Sequence, residues 1–257
     1  MSGTREWDAE TYDRVSAPQL GWGRVVLSRL PLTGSETVVD AGCGSGRVTE
    51  LLVAALPRGR VIAVDGSEAM LEEAERRLAP AGDRVELIHS DLLDLELSNP
   101  ADAVFSTATF HWITDHERLF QRVAGWLRPG GRLEAQCGGE GNIASFLSVV
   151  VHVGAREPYV SHLAGLGGSR LFAGAEETSA RLRAAGFAAV ECGLEPAPEA
   201  PPEPRAFAET VCLGPVIEAL PQELVEPFLN EIMEAWGPAP TLDYVRLNIS
   251  AQKGPAD

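Results

Sequence analysis

Short apolar blocks alternate with stretches of helical spacing along most of this chain, and turn-forming residues punctuate the changes. Blocks centred on Val, Ile, Leu and Phe at residues 36–40, 60–64, 84–88, 103–106 and 132–137 predict five strands. Between them, residues 47–56 form a helix stopped by Pro57 and Gly59. Ser67 caps a helix running to residue 78, with Glu68 in its first turn. Residues 115–127 form another, ended by Pro129-Gly130-Gly131. Upstream, residues 5–30 are helical, with Ser16 as N-cap, Pro18 in the first turn and Leu20, Val25, Leu27 and Leu30 as the apolar stripe. Past residue 138 the pattern loosens. A helix at 178–185, a sixth strand at 188–194, a Pro/Glu/Ala linker at 195–204, helices at 204–220 and 221–236, and a last strand at 244–252 complete the reading.

Strands alternating with helices at this spacing predict an α/β fold: a three-layer αβα sandwich around a seven-stranded, mostly parallel sheet. The last strand runs antiparallel and a small helical cap is added. Right-handed crossovers then place the ligand loops at the carboxyl edge of the sheet. The expected organisation is an N-terminal helical lid at 1–30 and one domain at 31–257, with cap elements around 138–174 and 204–236.

Composition narrows the partners. Thirty-seven acids against 21 basic residues give a net charge of −16, which disfavours nucleic acid and anionic membrane surfaces. The longest apolar stretch, around residues 146–153, falls far short of a membrane span and contains His152. Cys43, Cys137, Cys192 and Cys212 are scattered without metal-ligand spacing. They read as free thiols of a reducing cytoplasm, and no metal is expected.

The chemistry concentrates at Asp40-Ala41-Gly42-Cys43-Gly44-Ser45-Gly46, which follows the first strand and opens a helix. Asp65 ends the second strand. Glycines let a ligand approach the backbone, and the second acid is placed to grip a ribose, so the unit is nucleotide-binding. It departs from the dinucleotide pattern, because Arg47 stands where the third glycine belongs. A short-chain nicotinamide dehydrogenase is further disfavoured because the sole lysine, Lys253, leaves no Tyr-x-x-x-Lys pair.

Asp-x-Gly-x-Gly-x-Gly resembles the first motif of class I S-adenosylmethionine-dependent methyltransferases. Residues 61–67, Ser90-Asp91-Leu92 and Leu127-Arg128-Pro129-Gly130-Gly131 resemble their later motifs in order and spacing. More narrowly, Trp7, Tyr12, residues 105–112 and Trp112-Ile113-Thr114-Asp115-His116 resemble the trans-aconitate 2-methyltransferase group, within the methyltransferase type 11 domain. The Arg-x-Arg-Pro run expected there is replaced by Arg14-Val15-Ser16-Ala17-Pro18-Gln19.

The resemblance implies S-adenosylmethionine as cofactor and a small molecule as methyl acceptor, possibly a carboxylate. Gly42 and Gly44 would admit the methionyl carboxylate, Asp40 balance its ammonium, and Asp65 take both ribose hydroxyls. Asp91, with the Leu92 backbone, would receive the adenine amino group. Thr107 would line the sulfonium, Cys43 and Gly66 complete the set, and Met70 packs either on adenine or in the core. Phe110, His111 and Trp112 are the expected acceptor pocket. His111 is a base for a phenol, amine or carbon acid, or else a hydrogen-bonded wall residue. His116 is structural, and Tyr12 and Gln19 belong to a lid or to an inert surface. Arg156 and Arg170 clamp an acidic substrate or are solvated. The alternatives are N-, C- or phenolic O-methylation, or a cofactor-binding protein without turnover.

Overall fold

In the computed structural model, which describes Thr11, Arg14 and residues 17–164 and 170–255, the sheet has seven strands. These are β1 (Thr37–Ala41), β2 (Arg60–Asp65), β3 (Val85–His89), β4 (Ala101–Thr107), β5 (Leu127–Gly138), β6 (Phe187–Pro196) and β7 (Val245–Lys253). Their order is β3-β2-β1-β4-β5-β7-β6. The β3, β2, β1, β4 and β5 ladders are parallel, and β7 inserts antiparallel to both β5 and β6.

Strand alternation sorts the core into two layers. Val38, Val61, Ala63, Ala103 and Phe105 face one side. They pack there with α1 (Ala17–Arg29), α2 (Thr49–Ala55) and Leu71 of α3 (Glu68–Leu78). Val39, Ala41, Ile62, Val64 and Val104 face the other, against α4 (His116–Trp126) and α7 (Ala175–Ala184). Leu119, Phe120 and Val123 of α4 are fully buried. Each such side chain contributes about 1.5–3 kcal/mol. The caps follow the sequence: Ser67 Oγ accepts the Met70 N–H at the start of α3, and Asp115 Oδ1 accepts the Arg118 N–H at the start of α4.

A second apolar cluster lies beyond the sheet's carboxyl edge. It joins α5 (Ala144–Gly154) and α6 (Val160–Leu163) with α8 (Pro204–Phe207), α9 (Gly214–Ala219) and α10 (Gln222–Trp236), around Phe146, Tyr159, Phe207 and Phe228. Two expectations change here. The helix expected at 204–220 breaks, because the chain widens into a π-type turn at Ala208–Cys212 before Pro215 starts α9. The linker expected at 195–204 is partly ordered: β6 continues to Pro196, and Glu199 bridges to Leu242. At the N-terminus the described span of α1 is Ala17–Arg29, Thr11 and Arg14 are also helical, and Ser16 lies outside the described residues.

Candidate functional site

The strand order reverses between β1 and β4, so their carboxyl ends diverge and leave a crevice. A cleft of about 460 Å³, open mouth included, lies there. Its walls include Asp40, Gly42, Cys43 and Gly44 from the first loop and Thr107 and Ala108 from the end of β4. Leu20 of α1 closes one side, and Ser45, Arg47 and Val48 line the helix entry.

Two glycines shape the loop differently. At Gly42, φ is +85° and an added Cβ would stand 2.1 Å from Thr109 Oγ1. At Gly44, φ is +54° and an added Cβ would meet nothing within 4 Å. The first is a packing requirement; the second keeps the cleft clear for a ligand. Ala108 holds φ at +57° without being glycine, a strained conformation fixed by its N–H donating to the Gln136 carbonyl at 2.8 Å.

Asp40 is 2% exposed, and the Thr49 hydroxyl donates to it at 2.7 Å. Burial pushes its carboxyl up to about 7; the Thr49 bond opposes this, and the charge of Asp65 adds to it. Asp65 is oriented by two backbone donors, Gly44 N–H at 2.8 Å and Ser67 N–H at 2.9 Å. A neutral acid buried at one end of the loop would ionise on meeting a cation. A carboxylate fixed at the other end suits hydroxyl donors. An amino-acid-bearing nucleoside such as S-adenosylmethionine fits this pair of acids.

The remaining expected cofactor residues lie outside that cleft, along the adjoining edge of β2 and β3. Asp91 accepts the Leu93 N–H at 2.8 Å, and Ser90 N–H donates to the Asp65 carbonyl, tying the two loops together. Leu92 is 5% exposed with its side chain in the sheet core. Met70 is buried in the first turn of α3, and the Gly66 carbonyl is bonded to His89 Nε2 at 3.0 Å.

Past β4, a tight turn at Phe110–Trp112 sets Phe110 against Phe120 and His111 beside Trp112. Phe110 belongs to the core layer that α4 covers. It is 1% exposed and packs edge-to-face on Phe120, because the 3-10 turn points it into the core. His111 is also buried, stacked on Phe172 at 5.6 Å beside Trp112. Its Nδ1 accepts the Gly138 N–H at 3.3 Å, which leaves the hydrogen of the neutral ring on Nε2. Burial, then the Arg246 and Arg170 charges, hold the imidazole well below its ordinary range. It is a neutral donor in this geometry. His116 is buried and bonded through Nε2 to the Phe110 carbonyl, a structural post.

Of the two arginines expected at an acidic substrate, Arg156 pairs with Glu231 at 2.9 Å on the cap surface, because α10 presents that acid to it. Arg170 lies over the Trp112 ring at 4.1 Å. Trp7 and Tyr12 lie outside the described residues, as does the side chain of Gln19. Sequence reasoning missed Thr49, Ala108, Gln136, Phe172 and Arg246. Lys253 donates to the Leu127 carbonyl at the opposite edge of the sheet. Among the described residues no group of three or more His, Cys, Asp or Glu gathers to hold a metal, and no helix is long and apolar enough to cross a membrane.

Residues 38–131 match the family model described as a methyltransferase domain. A trans-aconitate 2-methyltransferase of Methylobacterium nodulans is 35% identical over 182 residues, covering 70% of this chain and 69% of that protein. The enzyme of the same name from Azoarcus sp. is 38% identical over 130 residues, 51% of this chain, and the match spans half of its length. Among solved structures, Haemonchus contortus phosphoethanolamine N-methyltransferase 2, in complex with S-adenosylhomocysteine, superposes with a TM-score of 0.62 at 19% identity. That match covers 96% of this chain and 57% of that one.

Proposed function

The chain belongs to the S-adenosylmethionine-dependent methyltransferases, and from that premise we propose that it methylates a small carboxylic acid on oxygen. The observation that carries the methyl-donor side of this reading is the meeting of a buried acid, a glycine loop and a backbone-oriented second acid at the β1–β4 crevice. The trans-aconitate 2-methyltransferase relatives support a carboxylate acceptor.

Bound S-adenosylmethionine supplies a methyl group already activated on a positively charged sulfur. The chain's own work is placement. Asp40 would hold the methionyl ammonium and Asp65 the ribose hydroxyls. Asp91 and the Leu92 backbone would take the adenine edge, with Gly66 and Met70 beside them. Cys43, Gly44 and Thr107 wall the methionyl end. Alignment of this kind can supply about 7–11 kcal/mol. A carboxylate with a pKa of about 4 is already ionised at pH 7, so no base is required. His111, with its hydrogen on Nε2, donates to the acceptor rather than deprotonating it, and Trp112 shields that side from water. α1, which places Leu20 at the cleft, acts as a lid, and the cap at 138–174 and 204–236 closes over the acceptor. The protein works on a metabolite in a reducing cytoplasm; its charge of −16 weighs against nucleic acid and membrane partners.

Incubation with S-adenosylmethionine labelled in the methyl group and a panel of polyacids, phenols and amines tests this. The expected product is an alkali-labile ester of a carboxylic acid. An alkali-stable label on a phenol or amine would move the acceptor class. Tight S-adenosylhomocysteine binding with no transfer to any acceptor would indicate a binding protein.

A further inference from the structure

Three separate segments of chain meet at His111 and bring two guanidinium groups with them. The first is the stretch before α7. Leu171 N–H donates to the His111 carbonyl at 2.9 Å and Phe172 stacks on the imidazole. Arg170 then lies over Trp112, with Nη2 donating to the Cys212 carbonyl at 2.5 Å. The second is the end of β5, where Gly138 N–H meets His111 Nδ1. The third is β7, where Arg246 pairs in register with Gly138. Its guanidinium lies 4.3 Å over the Trp22 ring of α1 and 5.8 Å from that of Tyr244, and its Nε donates to Gln136 Oε1 at 3.4 Å.

Gln136 is the register partner of Thr107, which lines the cleft, so Arg246 stands one side chain behind the cleft wall. Stacking grips a guanidinium by its face, whereas the N–H groups that read a carboxylate lie in its plane. Both guanidinium charges act on His111 and give this wall a cationic character in a chain of net charge −16. In a buried setting such a wall discriminates by charge far more strongly than it would in water.

We propose that Arg170 and Arg246 are specificity-determining residues of the acceptor site, holding a carboxylate other than the one methylated, so that the chain selects di- and tricarboxylates over monocarboxylates. This rests on the carboxylate reading given above. It makes α1 part of the acceptor site, because Trp22 holds the Arg246 fork. It also supplies charge selection from β7 and the segment before α7, where the expected Arg-x-Arg-Pro run is missing.

Calorimetry on protein saturated with S-adenosylhomocysteine tests it, using tricarballylate, glutarate and butyrate as probes. Tricarballylate and glutarate should bind at least tenfold more tightly than butyrate. Arg246→Lys, which keeps the charge and loses the fork, should cost tricarballylate at least tenfold while S-adenosylhomocysteine binding stays within twofold. Arg170→Gln, at a more exposed position, should do the same and decides the matter if the Arg246 variant fails to fold. Unchanged tricarballylate affinity in the folded variants overturns the proposal, as does a wild type that binds all three acids equally or binds none. Loss of S-adenosylhomocysteine binding by the wild type would instead overturn the methyltransferase reading itself.

Discussion

The buried Thr49 hydroxyl donates to the buried Asp40 carboxyl at 2.7 Å. Thr49 opens α2 and Asp40 nearly ends β1, so the bond ties the strand to the helix across the glycine loop. It also fixes which oxygen of Asp40 is left toward the cleft.

Cofactor affinity should therefore depend on pH through Asp40. Burial raises its folded-state pKa from 3.8 to about 7, so the empty protein holds the proton more tightly than the unfolded chain does. The sign follows: the empty fold loses stability as pH rises from about 4 to about 7, while a cationic ligand gains affinity over the same window. At pH 6 only about a tenth of Asp40 is ionised, so S-adenosylhomocysteine should bind about tenfold more weakly than at pH 8. Burial holds both His111 and His116 below their ordinary range. Titration calorimetry across pH 6–8 reads it, and Asp40→Asn should flatten it. A slope that survives in Asp40→Asn would assign it to another group.

The two loop glycines should fail in different ways. Gly42→Ala drives a methyl group into Thr109 at a positive φ and should lower the melting temperature sharply. Gly44→Ala meets open space and should cost about 1 kcal/mol of stability, while weakening cofactor binding at least tenfold. Thermal melts beside binding isotherms separate the two, and equal behaviour would contradict the assignment of Gly44 to ligand clearance.

Asp65→Ala should weaken S-adenosylhomocysteine binding by about 1–3 kcal/mol, the cost of removing a charged hydrogen-bond partner. It should also loosen the loop, since Gly44 N–H and Ser67 N–H lose their acceptor. Unchanged affinity would place the ribose elsewhere.

His111 should not impose a titration near neutrality on the rate. With Nδ1 accepting from Gly138 and the ring kept neutral, kcat for a carboxylate should stay flat from pH 6 to 9. His111→Gln, which keeps a donor, should retain most of kcat, and His111→Phe should raise KM. A bell-shaped or rising profile lost in His111→Gln would make the residue a base.

What the sequence made legible was local. The first strand, its glycine loop, Asp65 and the Ser67 cap lie close together in the chain, and their chemistry is written in residue type and spacing. Thr49 was invisible because nothing marks a helix threonine as the partner of an acid nine residues earlier. Arg246 and Phe172 were invisible for another reason: they reach His111 only because β7 inserts beside β5 and the segment before α7 folds back. The packing of Phe110 on Phe120 is set by a three-residue turn whose rotation hydrophobicity cannot fix. The α10 stripe of Val225, Phe228, Leu229 and Ile232 was legible, whereas α5 is apolar around much of its surface and offered no single stripe.

The most direct measurement is calorimetric titration of the wild-type protein with S-adenosylhomocysteine and, separately, with NADH. A crevice built from Asp40, Gly44 and Asp65 for an adenosyl amino acid predicts micromolar or tighter binding of the first, lost in Asp65→Ala, and no binding of the second. Binding of NADH in preference to S-adenosylhomocysteine would contradict the account.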